Sequence, residues 1–461
     1  MMNYDEIMKR LRDSQHDLNA VVTFYEDVVL QAEQAKNKVL KGMPIVLKDN
    51  VSTKGVKTTA SCKLLNNYVP VFNATIVDKL QESGAVILAK TAMDELAMGG
   101  TGLTAYTGPT KNPYDATRIS GGSSSGSAAL VGAHLVDVAI GSDTGDSVRK
   151  PASYCGVVGF KPTYGRISRY GVVAYASSLD HVGIFSNTVA QSAELLSVLQ
   201  GRDDKDLTSL MSPVEDLSDL SLDLKGKTIG IIKEIQEAKS DNALKLQFND
   251  FLKQLEAQGA MIKEVSLDRQ LLEQMYAVYY IVANCEATAN HASLDGIRFG
   301  ERVNADSYQE IMTKTRTQGF GELLKRRFVI GAYGLDDVHQ EEVFQKAQKI
   351  RRLIVEAYDK ALSEVDIVLT LASDTVAPKA TELKNHQSLD EMISENHLVL
   401  DNFAGYPSIT IPLGFDEGLP FGINLAARKL EDKKVLAFAS AFEKLIAFSE
   451  LEKGVNPWIM K

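Results

Sequence analysis

Two short segments rich in glycine and serine contain the residues best suited to chemistry. They read GGSSSGSA (Gly121–Ala128) and GSDTGDSVRKP (Gly141–Pro151). Both lie beside predicted helix starts, where unpaired backbone N–H groups and the helix dipole favour an anion or a developing oxyanion. Tight turns built from small residues have the same composition, so neither segment indicates a site by itself.

Two known glycine motifs offer alternatives for the first segment. A phosphate-binding loop of the Walker type ends in Lys followed by Ser or Thr, and that ending is missing here. A nucleophile elbow, G-x-S-x-G, formally fits Gly122–Gly126 with Ser124 at its centre. An elbow follows directly on a buried strand, whereas the preceding KNPYDATRIS is polar, which argues against this interpretation.

Lys48 is the third residue that could do chemistry. It ends the apolar part of MPIVLKDNV (Met43–Val51), a pattern typical of a buried strand with a charged tip. A lysine at a strand end is usually solvated, and a serine in a glycine-rich turn is usually only a turn residue. The three features become informative only together.

Taken together, the two segments and Lys48 in VLKDN resemble the amidase signature family. The resemblance covers nearly the whole chain and is densest over Gly121–Ser178. Within the family, the chain is most similar to the glutaminase branch that serves tRNA-dependent amidotransferases. That similarity rests on MDELAMGGTG (Met93–Gly102), KPTYGRISRYG (Lys161–Gly171) and AYASSLD (Ala174–Asp180).

The resemblance implies a Ser–Ser–Lys catalytic triad. Ser147 matches the nucleophile that forms an acyl-enzyme, and Ser123 matches a bridging serine whose preceding peptide bond is cis. Lys48 matches the general base. The oxyanion hole is expected from the backbone N–H groups of the loop that ends at Ser147, namely Thr144, Gly145, Asp146 and Ser147 itself.

Physical chemistry supports this assignment of roles. A free lysine has a pKa of about 10.4 and becomes a useful base near pH 7 only when burial lowers that pKa by roughly three units. A neutral Lys48 amine could then draw a proton from Ser147 through Ser123. The histidines lie outside the matched catalytic segments. The chemistry is therefore expected to proceed without histidine.

Glutamine is the substrate that the resemblance implies. Its α-carboxylate needs a cation, and Arg327 in KRRFVIG matches the binding arginine, with Arg326 as the near alternative. Tyr279 in VYYIVA matches an aromatic residue of the same pocket. Glu395, in ISENHLVLDNFAG, stands where the branch has an aspartate that binds the substrate ammonium.

Asp146 is a second departure, since the family usually has glycine immediately before the nucleophile. The backbone N–H of Asp146 survives, so the oxyanion hole can persist. The added carboxylate must then point away from the developing negative charge. Because no member of the triad is lost, we expect an active enzyme.

Composition excludes several other classes of protein. The chain has 461 residues, 44% of them hydrophobic, and a net charge of −10. An acidic chain lacks the electrostatic footprint of a nucleic-acid binder. Three widely spaced cysteines, Cys62, Cys155 and Cys285, show no metal-ligand spacing, so we expect free thiols and no metal site. No signal segment or membrane span is evident, and a cytoplasmic location is predicted.

The elements that must position these residues alternate between strands and helices. This pattern predicts an α/β fold with a central mixed sheet covered by helices on both faces. Strands are expected over 20–24, 43–48, 85–90, 136–140, 228–232, 260–265, 365–369, 408–413 and 422–426. Helices are expected in the first forty residues and over 74–82, 93–98, 127–134, 241–258 and 433–446, with further helices between 267 and 364.

The domain prediction is one amidase-signature domain over 1–461. It divides into an N-terminal helical segment (1–40), a catalytic core with the Lys and Ser motifs (43–200) and a remainder with the glutamine pocket (226–461). Ser240 and Gly259 are expected to cap the helix over 241–258.

The function implied is glutamine hydrolysis that supplies ammonia for converting Glu-tRNA(Gln) to Gln-tRNA(Gln). A kinase-transamidase partner subunit would hold the tRNA and use ATP and Mg, a small third subunit would bridge the two, and this chain would need no cofactor. The alternatives are a free-standing amidase acting on other small amides and a scaffold subunit whose catalytic activity has decayed.

Overall fold

The structure is a computed structural model that describes residues 3–239, 242–383 and 388–459. Its strands are β1 (Val21–Phe24), β2 (Pro44–Lys48), β3 (Val86–Thr91), β4 (Val138–Asp143), β5 (Val158–Lys161), β6 (His181–Ser186), β7 (Thr228–Ile232), β8 (Met261–Val265), β9 (Ile367–Leu371), β10 (Ser408–Asp416) and β11 (Leu419–Ala426).

The α-helices, again in chain order, are α1 (Tyr4–Asp13), α2 (Gln15–Leu18), α3 (Val28–Ala35), α4 (Thr75–Ser83), α5 (Ser125–Gly132), α6 (Arg149–Cys155), α7 (Val189–Leu199), α8 (Lys233–Ala238), α9 (Asn242–Ala257), α10 (Arg269–Asn290), α11 (Tyr308–Gly319), α12 (Glu322–Leu335), α13 (Lys346–Leu362), α14 (Leu389–Asn396), α15 (Val399–Ala404), α16 (Asp432–Ile446) and α17 (Phe448–Glu452).

One mixed sheet joins these eleven strands in the order β1-β3-β2-β4-β6-β5-β10-β11-β9-β7-β8. Two parallel groups, β3–β2–β4 and β9–β7–β8, lie on either side of an antiparallel middle. Helices flank the sheet, so the predicted α/β fold with a central mixed sheet is confirmed. The pairing of β5 with β10 connects 43–200 to 226–461 within the sheet; one domain over 1–461 stays a prediction.

The hydrophobic core has two main parts. The larger part surrounds the buried strands and includes Val46, Ile140 and Phe421. The second lies among helices α10, α12, α13, α14 and α15, which pack against one another beside the sheet. This second cluster supports the helices that carry Tyr279 and Arg327. No helix in the described part of the chain is long and apolar enough to cross a membrane.

Most predicted elements appear within a few residues of their expected bounds, and the strand ending at Lys48 is β2. The predicted helix over 93–98 is instead a short 3₁₀ turn, Glu95–Ala97. Leu96 and Ala97 adopt positive φ values of 50° and 61°, which a regular helix cannot contain. The Asp94 side chain accepts backbone hydrogen bonds from the following loop and folds the chain back.

Strands β5 and β6 were not predicted, and neither were helices α7, α8, α14, α15 and α17. The two strands pair with each other and are buried, but they are short, and β6 has polar residues at both ends, His181 and Ser186. Such segments lack the apolar periodicity on which sequence reasoning depends. Gly259 has the left-handed φ of +87° expected after α9. The predicted cap Ser240 lies outside the described residues.

Candidate active site

Lys48 is the last residue of β2 and is fully buried. Because β2 and β4 run parallel as neighbours, their carboxyl ends meet at one edge of the sheet, where Ser142 lies beside Lys48. The Nζ atom donates to the Oγ atoms of Ser123 at 2.7 Å, Ser124 at 2.9 Å and Ser142 at 2.9 Å. It also donates to the Ser142 carbonyl at 3.1 Å. Within the described ranges, no carboxylate forms an ion pair with this amine.

The pKa of Lys48 is lowered to about 7. Burial is the main cause, and it outweighs the charges of Asp94, Asp143 and Asp180, which act to raise the pKa. An amine with this pKa is uncharged in about half of the molecules near pH 7 and can accept a proton from a neighbouring hydroxyl. Lys48 therefore has the environment of a general base.

Ser123 lies in the loop that leads into α5, and the peptide bond Gly122–Ser123 is cis. Its carbonyl accepts a hydrogen bond from the Asp94 backbone N–H at 3.0 Å. A Cβ atom at Gly122 would lie 1.9 Å from Asp94 Oδ2, so only glycine fits there. These contacts hold the Ser123 hydroxyl against Lys48.

Asp94 is a positioning residue that sequence reasoning did not single out. Its Oδ2 atom accepts backbone hydrogen bonds from Thr101 at 3.1 Å and Gly102 at 3.0 Å. Its Oδ1 atom accepts from the Thr104 hydroxyl at 2.8 Å. Asp94 lies in the matched segment MDELAMGGTG, and this match is the sequence feature that could have indicated its role.

Ser124, the centre of the possible elbow, follows no strand in the structure. It precedes α5, and its hydroxyl donates to the Ser142 carbonyl at 3.0 Å while accepting from Lys48. The hydroxyl therefore lies inside the hydrogen-bond network of the lysine. The strand that an elbow requires is missing before Ser124, so the structure gives the elbow interpretation no support.

Ser147 lies in the loop between β4 and α6, five residues after Ser142 along the chain. The loop is held by the buried Arg149, whose guanidinium pairs with Asp143 at 3.0 Å and with Asp401 at 2.8 Å. It also donates to the Gly145 carbonyl at 2.8 Å. Burial would raise the pKa of Asp143, but Arg149 holds it well below its ordinary value.

The four backbone N–H groups from Thr144 to Ser147 have no hydrogen-bond acceptor among residues 3–239, 242–383 and 388–459. The Thr144 side chain is fixed by a hydrogen bond to Asp180 at 2.7 Å. Unpaired N–H groups in a buried, fixed loop form a ready site for an anionic oxygen. Ser147 itself is only 3% exposed.

Tyr279 on α10 packs against this loop, and Arg327 on α12 lies among the tyrosines around Tyr279. A Cβ atom at Gly145 would lie 2.9 Å from Cζ of Tyr279, so the ring packs directly on the loop backbone. Arg327 Nη1 donates to the Tyr175 hydroxyl at 2.9 Å, and its Cζ lies 5.3 Å from the centroid of the Tyr280 ring. Arg326, the alternative, is exposed.

Arg327 has no acidic partner in the described part of the chain, and its buried Nε atom lacks any hydrogen-bond acceptor. A guanidinium surrounded by tyrosines is well suited to an incoming carboxylate, which would satisfy the fork of N–H donors. Tyr175, which orients Arg327, lies in the matched segment AYASSLD, and nothing in that segment by itself indicates this contact.

Glu395 at the end of α14 forms an ion pair with Lys150 at 3.0 Å. Its other oxygen accepts a hydrogen bond from the Asp374 backbone N–H at 3.2 Å. Lys150 also pairs with Asp146 at 3.2 Å. Both departures from the family pattern therefore contact the same ammonium, which sequence reasoning did not foresee. A role for Glu395 in binding the substrate ammonium stays a prediction.

A cavity of about 300 Å³ borders the site without being lined by any residue of the predicted triad or by Tyr279, Arg327 or Glu395. Its wall includes Ser142, which contacts Lys48, and Tyr175, which contacts Arg327. Asp180, which fixes Thr144, also lines it. Within the described ranges, no cluster of three or more His, Cys, Asp or Glu side chains could hold a metal ion, and the three cysteines are buried and free.

Comparison with known proteins gives the family to which the chain belongs. A family model described as Amidase matches residues 4–436. The glutamyl-tRNA(Gln) amidotransferase A-subunit of Microcystis aeruginosa is 42% identical over 450 residues, covering 95% of this chain and 92% of the relative. The protein of the same name from Carboxydothermus hydrogenoformans is 44% identical over 411 residues, covering 89% and 84%.

Two solved structures extend the comparison to the fold. The glutamyl-tRNA(Gln) amidotransferase A-subunit from Thermotoga maritima matches with a TM-score of 0.80 and 37% identity, covering 95% of this chain and 89% of that one. The native peptide amidase from Stenotrophomonas maltophilia matches with a TM-score of 0.80 and 26% identity, covering 96% and 92%. The chain therefore belongs to the amidase family.

Proposed function

We propose that this chain is the glutamine-hydrolysing subunit of a tRNA-dependent amidotransferase. The observation that carries the proposal is the contact of 2.7 Å between Lys48 Nζ and Ser123 Oγ, beside the loop of unpaired N–H groups that ends at Ser147. The names of the relatives in Microcystis and Carboxydothermus support the choice of the amidotransferase branch.

The reaction begins with proton transfer. The neutral Lys48 amine takes a proton from Ser123, which takes the proton of Ser147, and the Ser147 oxygen attacks the side-chain amide carbon. The N–H groups of residues 144–147 stabilise the oxyanion. Collapse of the tetrahedral intermediate breaks the C–N bond, and the proton held by Lys48 returns through Ser123 to the departing ammonia. Water then hydrolyses the acyl-enzyme by the same route and releases glutamate.

Substrate binding uses the residues beyond the loop. Arg327 would pair with the α-carboxylate of glutamine, and Tyr279 would form the pocket wall between that carboxylate and the reacting amide. The substrate ammonium would reach Glu395 only by sharing its carboxylate with Lys150, because both oxygens of Glu395 are already engaged.

Ammonia from this reaction would pass to a kinase-transamidase partner that holds Glu-tRNA(Gln) and uses ATP and Mg. A small third subunit would bridge the two. The acidic charge of this chain, −10, supports leaving RNA binding to another subunit. We expect the complex to act in the cytoplasm, and this chain to need no cofactor of its own.

The test is ammonia release from glutamine by the co-purified complex, with and without ATP and Glu-tRNA(Gln). We expect release that the acceptor stimulates and that Ser147→Ala reduces by about 10⁴-fold or more. An intact complex that releases no ammonia would contradict the proposal and favour the scaffold alternative.

A free-standing amidase is the second candidate, and one observation favours it. The Glu395 carboxylate already forms an ion pair with Lys150. An amidase acting on substrates without an α-ammonium would not need that carboxylate for substrate binding. Simple amides that are cleaved in preference to glutamine, with no response to Glu-tRNA(Gln), would establish this alternative.

A further inference from the structure

Lys150 connects two carboxylates on separate parts of the chain. Its Nζ lies 3.2 Å from Asp146 Oδ2 and 3.0 Å from Glu395 Oε2. It also donates to the Glu395 backbone carbonyl. The Lys150 side chain is 10% exposed, and those of Asp146 and Glu395 are 20% and 21% exposed. Water can therefore reach only a small part of the charged side chains in this ion-pair network.

The position of Asp146 creates an electrostatic problem for the reaction. Its backbone N–H belongs to the loop that would stabilise the oxyanion, and its carboxylate is attached one residue before the nucleophile. The Asp146 charge contributes to the raised pKa values of Tyr276 and Tyr279, so its electric field reaches the tyrosines around Arg327. A negative charge this close would oppose a developing oxyanion in a buried site.

We propose that Lys150 is a positioning residue that holds the Asp146 carboxylate away from the oxyanion, with Glu395 fixing the Lys150 ammonium from the opposite side. The inference deepens the proposed function and rests on it. Lys150 lies four residues after Asp146, so its side chain reaches back over one helical turn to the carboxylate.

Loss of the Lys150 ammonium has a specific consequence in this geometry. The loop that carries Asp146 offers unpaired donors to a released carboxylate, because the N–H groups of residues 144–147 have no acceptor in the described part of the chain. An anion that occupies those groups competes directly with the oxyanion of the reaction. Turnover would fall, whereas binding of glutamine at Arg327 would change little.

The experiment compares kcat and KM for glutamine among variants of this chain in the co-purified complex. Lys150→Met is expected to lower kcat roughly a hundredfold, in the range found for loss of an oxyanion donor, and Lys150→Arg to retain most of it. Asp146→Asn combined with Lys150→Met is expected to have a kcat at least about tenfold above that of Lys150→Met alone. Glu395→Gln combined with Lys150→Met is the matched control in the glutamine-free labelling experiment below, where no substrate ammonium is bound; it relieves the other carboxylate and is expected not to restore the labelling rate.

A second readout separates this inference from the proposed function. A fluorophosphonate probe labels an activated serine without glutamine, and the labelling rate at Ser147, followed by mass spectrometry, should show the same order among the variants. Labelling in this order without glutamine hydrolysis would reject the proposed function and retain the role of Lys150. Unchanged kcat and labelling in Lys150→Met, or equal recovery by both double variants, would overturn the inference.

Discussion

Two buried lysines of the candidate site, Lys48 and Lys150, have opposite electrostatic surroundings. Lys48 is surrounded by hydroxyl and carbonyl oxygens of three serines, and burial lowers its pKa to about 7. Burial would also lower the pKa of Lys150, but the carboxylates of Glu395 and Asp146 raise it above the ordinary value. The charge of the partners therefore decides whether the pKa of a buried lysine is lowered or raised.

Lys90 lies between these two extremes. It is fully buried and has one carboxylate partner, Asp49, at 3.5 Å. Burial still dominates and lowers its pKa to about 8, although Asp49 acts to raise it. One carboxylate at this distance therefore does not offset full burial, whereas two closer ones do so for Lys150.

The largest effect expected from the comparison concerns activity. Lys48→Met should reduce kcat for glutamine by about 10⁴-fold or more, because no other group in the network can take the proton. Lys48→Arg should be equally inactive, since a guanidinium stays protonated at any working pH. Both are measured as ammonia release in the complex. Retention of a substantial part of the wild-type rate by Lys48→Arg would exclude Lys48 as the base.

A smaller effect is expected on the free energy of unfolding, and here the substitution of Lys150 is expected to cost more than that of Lys48. Lys150→Met should lower the free energy of unfolding by about 3 kcal/mol, because it removes the ion-pair partner of two partly buried carboxylates. Lys48→Met should cost less, since it orphans no charge and removes an amine that burial disfavours. Urea denaturation of the chain measures both. A larger loss of unfolding free energy in Lys48→Met than in Lys150→Met would contradict this comparison of the two lysines.

Local sequence was sufficient for the part of the site formed by short segments. The apolar run before Lys48 predicted a buried strand, and the glycine-rich segments predicted the loops that carry Ser123 and Ser147. The family resemblance supplied their possible roles. Neither source predicted the Ser142 contact, which depends on β4 extending beyond its expected end at Ile140 to Asp143.

Long-range ion pairs account for what sequence could not predict. The contact between Lys150 and Glu395 joins residues 245 positions apart, and that between Arg149 and Asp401 joins residues 252 apart. Asp146 and Glu395 each depart from the family pattern, but their common partner, Lys150, is evident only in the folded chain. In the fold, β5 and β6 were missed because their burial comes from the sheet rather than from an apolar pattern of their own.

The most direct test of the central claim is the pH dependence of kcat/KM for glutamine in the complex. The proposed base is the neutral form of Lys48, so the rate should fall about tenfold for each pH unit below the pKa and level off above it. With a pKa of about 7 for Lys48, the profile should bend near neutral pH. A profile that stays flat from about pH 5.5 to 9, or that bends only near the ordinary lysine value of about 10.4, would contradict the account.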